Sequence, residues 1–374
     1  MSFSLEQYLE ELRPLINVDC GTLTKEGIEV IANQMAEKYQ TLGWNVKRVD
    51  CGAAGTGLEV RNKPEADHID VMLIGHMDTV FPVGTAAARP MTTDAEKAYG
   101  PGVSDMKSGL LNIVYAIRTL DPTVLEKLSI CVCMNPDEEI GSLHSETWLK
   151  SVAASAKHVL VAEAARADGS LVKARKGMAR YRLTFNGKAA HAGNEPEKGR
   201  SAITEMANWI LAINQLTNFE TGTTFNVGIV KGGAGANIVP DLAEAVVDVR
   251  FWDNEEYAQA DSHIRALADT PFVDGVSITL DREAHKPSMV PSTQTEALMT
   301  LVEQSGQEEG INITWQAVGG GSDANLTAVL GVPTLDGLGP IGAGFHSADE
   351  YLVLDSIEPR IRLLQNVLGK IAKQ

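Results

Sequence analysis

Val71-Met72-Leu73-Ile74-Gly75-His76-Met77-Asp78 opens the stretch that decides the fold, and Gly100-Pro101-Gly102-Val103-Ser104-Asp105-Met106-Lys107-Ser108-Gly109 closes it. Four apolar residues without interruption read as a buried strand. The run breaks at Gly75, and His76 and Asp78 follow at once. After Gly109, the residues Leu110, Leu111, Ile113, Val114 and Ile117 fall at helical spacing. A buried strand ending in polar side chains, then a loop that delivers a carboxylate to a helix start, is how an α/β protein builds a site at the carboxyl edge of its sheet.

Two further apolar runs end in the same way. Residues 128–134 lead into Asn135-Pro136-Asp137-Glu138-Glu139, and residues 158–162 end at Glu163. Helical patterns at 106–120 and 143–152 alternate with these runs, which predicts a mainly parallel sheet. Upstream, residues 5–16 and 25–42 read as helices, and 45–49 and 58–60 as a strand pair. The pattern changes at 179. Strands at 179–185, 224–230, 244–251 and 276–281 and helices at 203–216 and 255–269 give the order β-α-β-β-α-β, a ferredoxin-like α+β sandwich. The expected organisation is a catalytic domain of residues 1–178 and 288–374, with residues 179–287 inserted as a second domain. The closing segment resumes α/β character, with a helix at 293–309, a strand at 314–318 and a terminal helix at 356–370.

A chain of 374 residues is too long for one typical core, in keeping with two domains. Its net charge of −17 and pI of about 4.9 argue against nucleic acid and against an anionic membrane surface. No run reaches the ~18 consecutive apolar residues of a membrane span. The first fifteen residues read as an amphipathic helix, not a signal peptide. Cys20, Cys51, Cys131 and Cys133 form no C-x-x-C pair and read as reduced thiols. The expected location is the cytoplasm.

His76, Asp78, Asp105, Glu138, Glu139, Glu163 and His346 all end a buried strand or lie in a loop beside one. Taken singly, each has a structural or solvated reading. Together, imidazole and carboxylate suit zinc or a similar divalent ion. His76 and Asp78 are two apart, so on an extended chain they face the same way, and Asp78 is placed to accept the second ring N–H of His76. Glu138 and Glu139 are adjacent and point apart, so one is free to ligate while the other serves as a base. Asp105, with two oxygens, is able to bridge two ions about 3.5–4 Å apart.

These pieces resemble the M20 family of zinc peptidases and deacylases, most of all its glutamate carboxypeptidase branch. The matching segments are GHMDTV (75–80), GPGVSDMKSG (100–109), PDEEIGS (136–142), Glu163, KAAHAG (188–193), ANIVP (236–240), DVR (248–250), GGGSDA (319–324) and FHSADEY (345–351). The resemblance implies a mainly parallel-sheet catalytic domain with an inserted lid and dimerisation domain. It implies two zinc ions, with cobalt or manganese as substitutes. Asp105 would bridge them, with His76 and Glu163 completing one site and Glu139 and His346 the other. Glu138 would be the general base toward a zinc-bridging water, and Asp78 the support of His76. The peptide bond after Asp105 would be cis. His191 would help polarise the scissile carbonyl, in many members from the partner subunit, and Asn237 and Arg250 would contact substrate.

The activity so implied is release of a C-terminal amino acid, glutamate-like, from a peptide, an N-acyl amino acid or a folate-like substrate. Arg166, Lys173, Arg175, Lys176 and the pair His285-Lys286 are further candidate contacts for an acidic side chain. The alternatives are a deacylase of acetylornithine or succinyl-diaminopimelate type and, outside enzymes, a catalytically inactive binding homologue. The glycine-rich segments at 232–235 and 319–321 lack the context of a nucleotide site. The partners expected are a small peptide or N-acyl amino acid and a second copy of the chain, with neither nucleic acid nor membrane.

Overall fold

The structure, a computed structural model, describes residues 3–374. Its contacts divide the chain into two compact units. The first runs to Ala174 and resumes over Val290–Val318 and Ser322–Gln374; the second is Arg175–Met289 with Gly319–Gly321.

The first unit is built on a six-stranded sheet. Its strand order is Asn45–Asp50, Thr56–Arg61, Ile130–Asn135, Ile69–His76, Ala156–Val161 and Thr334–Leu335. The last four are mutually parallel. Asn45–Asp50 and Thr56–Arg61 form an antiparallel hairpin that joins the sheet through Ile130–Asn135. The strand Ile69–His76 lies between two parallel neighbours and is buried almost throughout, as its continuous apolar run requires. Helices Leu5–Ile16, Lys25–Thr41, Ser108–Arg118 and Ile357–Ile371 bring Leu12, Ile28, Leu111 and Leu364 into one buried cluster with Val71 and Leu73 of the sheet. The Tyr8 hydroxyl fastens the first helix to the third, donating to Asn112 Oδ1 at 2.7 Å.

Glycine sets one close approach. A Cβ on Gly109 would lie 2.0 Å from the Ala162 carbonyl oxygen. The helix Ser108–Arg118 therefore starts directly against the chain leaving Ala156–Val161, which brings the Asp105 loop beside Glu163. The expected helix at 106–120 is shorter at its start than its pattern suggests. Asp105 and Met106 have non-helical dihedrals, and the bond between them is cis. A helix at Pro122–Lys127, capped by Asp121 with proline at its first position, was not signalled by periodicity. Residues 171–175 form a strand beside Trp315–Val318 to which the sequence reading assigned no element.

In the second unit the antiparallel sheet has the order Thr224–Gly232, Leu242–Phe251, Gly177–Asn186, Ser277–Lys286. With helices Ala202–Asn214 and Asn254–Ala268 it forms the expected ferredoxin-like arrangement. Tyr181, Leu183 and Phe185 alternate inward and meet Trp209 and Ile264 in a separate core. Asp253 caps the second helix by accepting the N–H groups of Glu255 and Glu256. The edge strand Thr224–Gly232 exposes Ile229 and Val230, and the first helix exposes Leu211.

Candidate metal centre

His76 closes its strand with the side chain 1% exposed. Its Nδ1 faces two acceptors, the Asp78 backbone carbonyl at 3.0 Å and Asp78 Oδ1 at 3.3 Å. Nδ1 therefore donates to Asp78, and Nε2 points into the site. There it meets Asp105 Oδ1 at 3.1 Å and Glu163 Oε1 at 3.5 Å.

Asp78 is fully buried and does more than hold His76. Its Oδ2 accepts the Thr22 hydroxyl at 2.5 Å, and its two oxygens accept the backbone N–H groups of Glu138 at 3.1 Å and Glu139 at 3.2 Å. One carboxylate thus fixes the end of the central strand and the turn that follows the neighbouring one.

That turn, Glu138–Ile140, closes at Gly141 in the left-handed region. Asp137 accepts from the His144 N–H and the Ser145 hydroxyl. Asp323 accepts from Asn135 Nδ2 and the Ser142 hydroxyl, both at 2.5 Å. The segment GGGSDA thus contributes a brace behind the site.

Asp105 spans two histidines. Its Oδ1 faces His76, and its Oδ2 lies 3.2 Å from His346 Nε2, which is also 3.1 Å from Glu139 Oε2. The Asp105 loop hangs on Glu350. This buried carboxylate accepts the N–H groups of Gly102 at 2.9 Å, Ser104 at 2.9 Å and Asp105 at 3.0 Å. Ligand-capable atoms of His76, Glu138 and Glu163 lie within 4.8 Å of one another, as do those of His76, Asp105 and Glu139. The geometry therefore brings Glu138 to the same side as His76 and Glu163.

The charges say what the cluster lacks. Burial pushes the Glu163 carboxyl up to about 8, reinforced by the neighbouring Asp105 charge. Burial likewise pushes Glu139 up to about 7. Burial opposes ionisation of Asp105, but hydrogen bonds from His346 and His76 outweigh it and hold this group low. Hydrogen bonds to Asp105 and Glu139 push the His346 imidazole up to about 10. Crowded carboxylates that draw protons onto their neighbours are short of positive charge. Nitrogen and oxygen donors around such a cluster suit a divalent cation.

The expected substrate residues lie in the second unit. His191, in the short strand Ala190–His191, pairs with Ile238, and the Ala192 N–H donates to the Asn237 carbonyl at 2.9 Å. His191 and Asn237 are thus held side by side. The N–H groups of Gly193 and Asn194 both donate to His191 Nδ1 at 3.1 Å, which assigns the ring proton to the exposed Nε2. Arg250 lies elsewhere, near the far end of Leu242–Phe251. It forms a two-pronged ion pair with Asp248, at 2.9 and 3.2 Å, and reaches the Gly319 carbonyl at 3.5 Å. Among the further cations, Arg175 is buried and donates to the Gly320 carbonyl, and Lys176 donates to the Gly222 carbonyl. His285 stacks on Tyr257.

Glu350, Asp323, Asp137 and Thr22 were not among the sequence candidates. Glu350 and Asp323 sit inside quoted motifs, FHSADEY and GGGSDA, and that placement was the available signal. Thr22 had none.

Residues 173–276 match the peptidase dimerisation domain of M20 proteins. The chain is 30% identical to carboxypeptidase G2 of Pseudomonas sp. (strain RS-16) over 96% of its own length and 88% of that protein. It is 24% identical to a succinyl-diaminopimelate desuccinylase of Paracidovorax citrulli, covering 93% of each chain. In fold it resembles the aminopeptidase PepT of Bacillus cereus, with a TM-score of 0.80 at 24% identity and 99% coverage of both chains. It also resembles an M20 metallo-carboxypeptidase of Sulfolobus solfataricus, with a TM-score of 0.75 at 17% identity over 98% of this chain and all of the other.

Proposed function

Because the chain belongs to the M20 family of metallopeptidases, we propose that this hydrolase binds two divalent cations and cleaves an amide bond to release a C-terminal amino acid. Zinc is the preferred ion, with cobalt or manganese able to substitute. The observation that carries the reading is Asp105, whose two oxygens face two different histidines at 3.1 and 3.2 Å. In this assignment Asp105, His76 and Glu163 hold one ion, and Asp105, Glu139 and His346 the other. When bound, such ions polarise a carbonyl and acidify water.

The chain's own groups do the rest. Glu138 takes a proton from the attacking water and passes it to the leaving amine. Its backbone is fixed by Asp78, so base and ligand move as one piece. His191 offers Nε2–H to the developing oxyanion, the tautomer favoured by its two backbone donors. Arg250, aligned by Asp248, holds the carboxylate of the leaving amino acid, and Asn237 contacts the substrate beside His191.

A homodimer accompanies this reading. His191 and Asn237 cluster at one end of the strand Leu242–Phe251, and Arg250 lies eight residues along it, roughly 26 Å away at ~3.3 Å per residue. One small substrate cannot touch both from a single copy, so His191 of the partner subunit completes the site. The exposed Ile229, Val230 and Leu211 of the second unit suit such an interface.

The substrate proposed is an N-acyl amino acid or short peptide ending in glutamate or aspartate. The desuccinylase relatives support a second reading, removal of an acyl group from a diamino acid. We place the protein in the cytoplasm, where its four buried, unpaired cysteines stay reduced. No helix among the described residues is long and apolar enough to cross a membrane.

The test is an amino-acid release screen with zinc-loaded protein and the Glu138→Ala variant on substrates that differ only in their C-terminal residue. Release of glutamate or aspartate by the parent alone is expected. Release of ornithine or diaminopimelate moves the assignment to the deacylases. No release from a protein holding two ions overturns the substrate class, and equal release by the variant overturns the role of Glu138.

A further inference from the structure

We propose that Arg89 is a carboxylate-recognition residue at the rim of the metal centre, selecting substrates with a second anionic group beyond the one held by Arg250. The proposal rests on the hydrolytic reading above and names its substrate class more narrowly: dicarboxylic amides.

Arg89 joins the two segments that leave the site. Its guanidinium lies over the Phe81 ring, 4.8 Å from the centroid, and Phe81 is three residues beyond Asp78. Its Nη1 donates to the carbonyl of Ser347, the residue after His346, at 3.3 Å. The half-buried guanidinium is thus held by its face and by one of its five N–H donors. No carboxylate lies within ion-pair distance of it among the described residues, in a chain whose net charge is −17. Arg250, by contrast, is aligned by an ion pair with Asp248. An arginine stacked on a ring, with its charge unpaired and its edge available, is pre-organised for a planar anion.

The segment that carries it is fixed. Asp19 accepts the N–H groups of Gly84 at 2.7 Å and Ala86 at 2.8 Å, and the Arg89 N–H closes on the Thr85 carbonyl at 2.8 Å. Two residues on, the Met91 N–H donates to Asn17 Oδ1 at 2.7 Å. Val80 and Val83 on the same segment are exposed, the latter 72%. They add exposed apolar surface to the segment that carries the cation, as a ligand with a hydrocarbon stem and a charged end requires.

Two matched pairs of amides test this. N-acetyl-glutamate and N-acetyl-glutamine differ only in a carboxylate on the leaving amino acid. N-succinyl-alanine and its succinamoyl counterpart differ only in a carboxylate on the acyl group. Arg89→Gln is expected to raise KM for one of the two acids by about tenfold or more, the scale of one charge-assisted hydrogen bond. Its kcat and both amides should be nearly unchanged, and Arg89→Lys should recover part of the loss. The acid that responds identifies which end of the substrate Arg89 reads. Equal losses on acid and amide would make Arg89 a brace for the His346 loop and overturn the proposal, as would no loss on either acid. If the parent hydrolyses none of the four, the hydrolytic reading fails separately. Calorimetric titration with glutarate then decides: weaker binding by Arg89→Gln than by the parent supports the assignment, and equal binding removes it.

Discussion

The Glu350 carboxylate, four residues beyond His346, accepts the backbone N–H of Asp105 at 3.0 Å. It accepts the N–H groups of Gly102 and Ser104 as well. The segment that supplies one ligand candidate therefore shapes the loop that supplies the shared one. Replacing Glu350 with Gln sets an amide N–H against backbone donors, at a cost of about 1–3 kcal/mol. The expected outcome is a lower unfolding midpoint in urea. Competition with a chelator should also show zinc held about 10- to 100-fold more weakly, the usual scale for a residue supporting a metal ligand.

Asp78→Asn probes a different junction. The amide no longer presents two acceptors to His76, Thr22 and the backbone of Glu138 and Glu139. Turnover should fall by about 10- to 100-fold. The loss should appear in kcat as well as in cation affinity, because the proposed base Glu138 and the proposed ligand Glu139 would be displaced together. Steady-state kinetics at saturating zinc separates the two effects; kcat equal to the parent's would limit Asp78 to supporting the cation.

Gly109→Ala tests the close approach that sets the Asp105 loop. Its Cβ would meet the Ala162 carbonyl at 2.0 Å, a backbone atom that cannot rotate away. A destabilisation of about 1–3 kcal/mol is expected from such overpacking, read from urea unfolding. Zinc affinity should fall with it, since helix start and Glu163 are pushed apart.

Glu11 gives the stability a pH dependence remote from the site. Burial opposes its ionisation, but hydrogen bonds from Arg118 and Lys38 outweigh it and bring its pKa down to about 2. A carboxylate depressed in the folded state stabilises above its unfolded pKa, near 4.5, and that stabilisation is lost as pH falls toward 2. Glu11→Gln should be less stable than the parent by about 1 kcal/mol at neutral pH, the scale of a partly exposed ion pair. The gap should narrow as pH drops below 4.5. Thermal unfolding from pH 3 to 7 measures it; a gap that stays constant would remove the electrostatic account.

Removing cations should lower the melting temperature, because the crowded Asp105, Glu139 and Glu163 lose the charge that offsets their repulsion. Zinc should restore it in the parent, and restore it less in Glu163→Ala.

The catalytic sheet was legible because buried parallel strands are written as apolar runs, and the polar residues ending them were conspicuous. Hence His76, Asp105, Glu139, Glu163 and His346 were all candidates before any coordinates, and all fall in one cluster. What sequence left out are residues whose importance comes from being buried. Glu350 and Asp323 look like ordinary surface acids until the donors that converge on them are seen, backbone N–H groups for the first and the side chains of Asn135 and Ser142 for the second. The segment 171–175 was given no element, only candidate cations; its pairing with Trp315–Val318 is non-local and leaves no periodic trace. Arg250 was expected as a substrate clamp, and the Asp248 beside it in the quoted motif proved to be its ion-pair partner.

Asp105 also has a kinetic consequence. Under the assignment above, one carboxylate belongs to two cation positions that differ in access: His76 is 1% exposed and His346 55%. The two positions would not load independently. An ion at the inner position would exchange slowly, and one at the outer position would exchange more freely with the surroundings. With metal limiting, molecules filled at the inner position alone would accumulate, and occupancy of the outer position would set the turnover of the population.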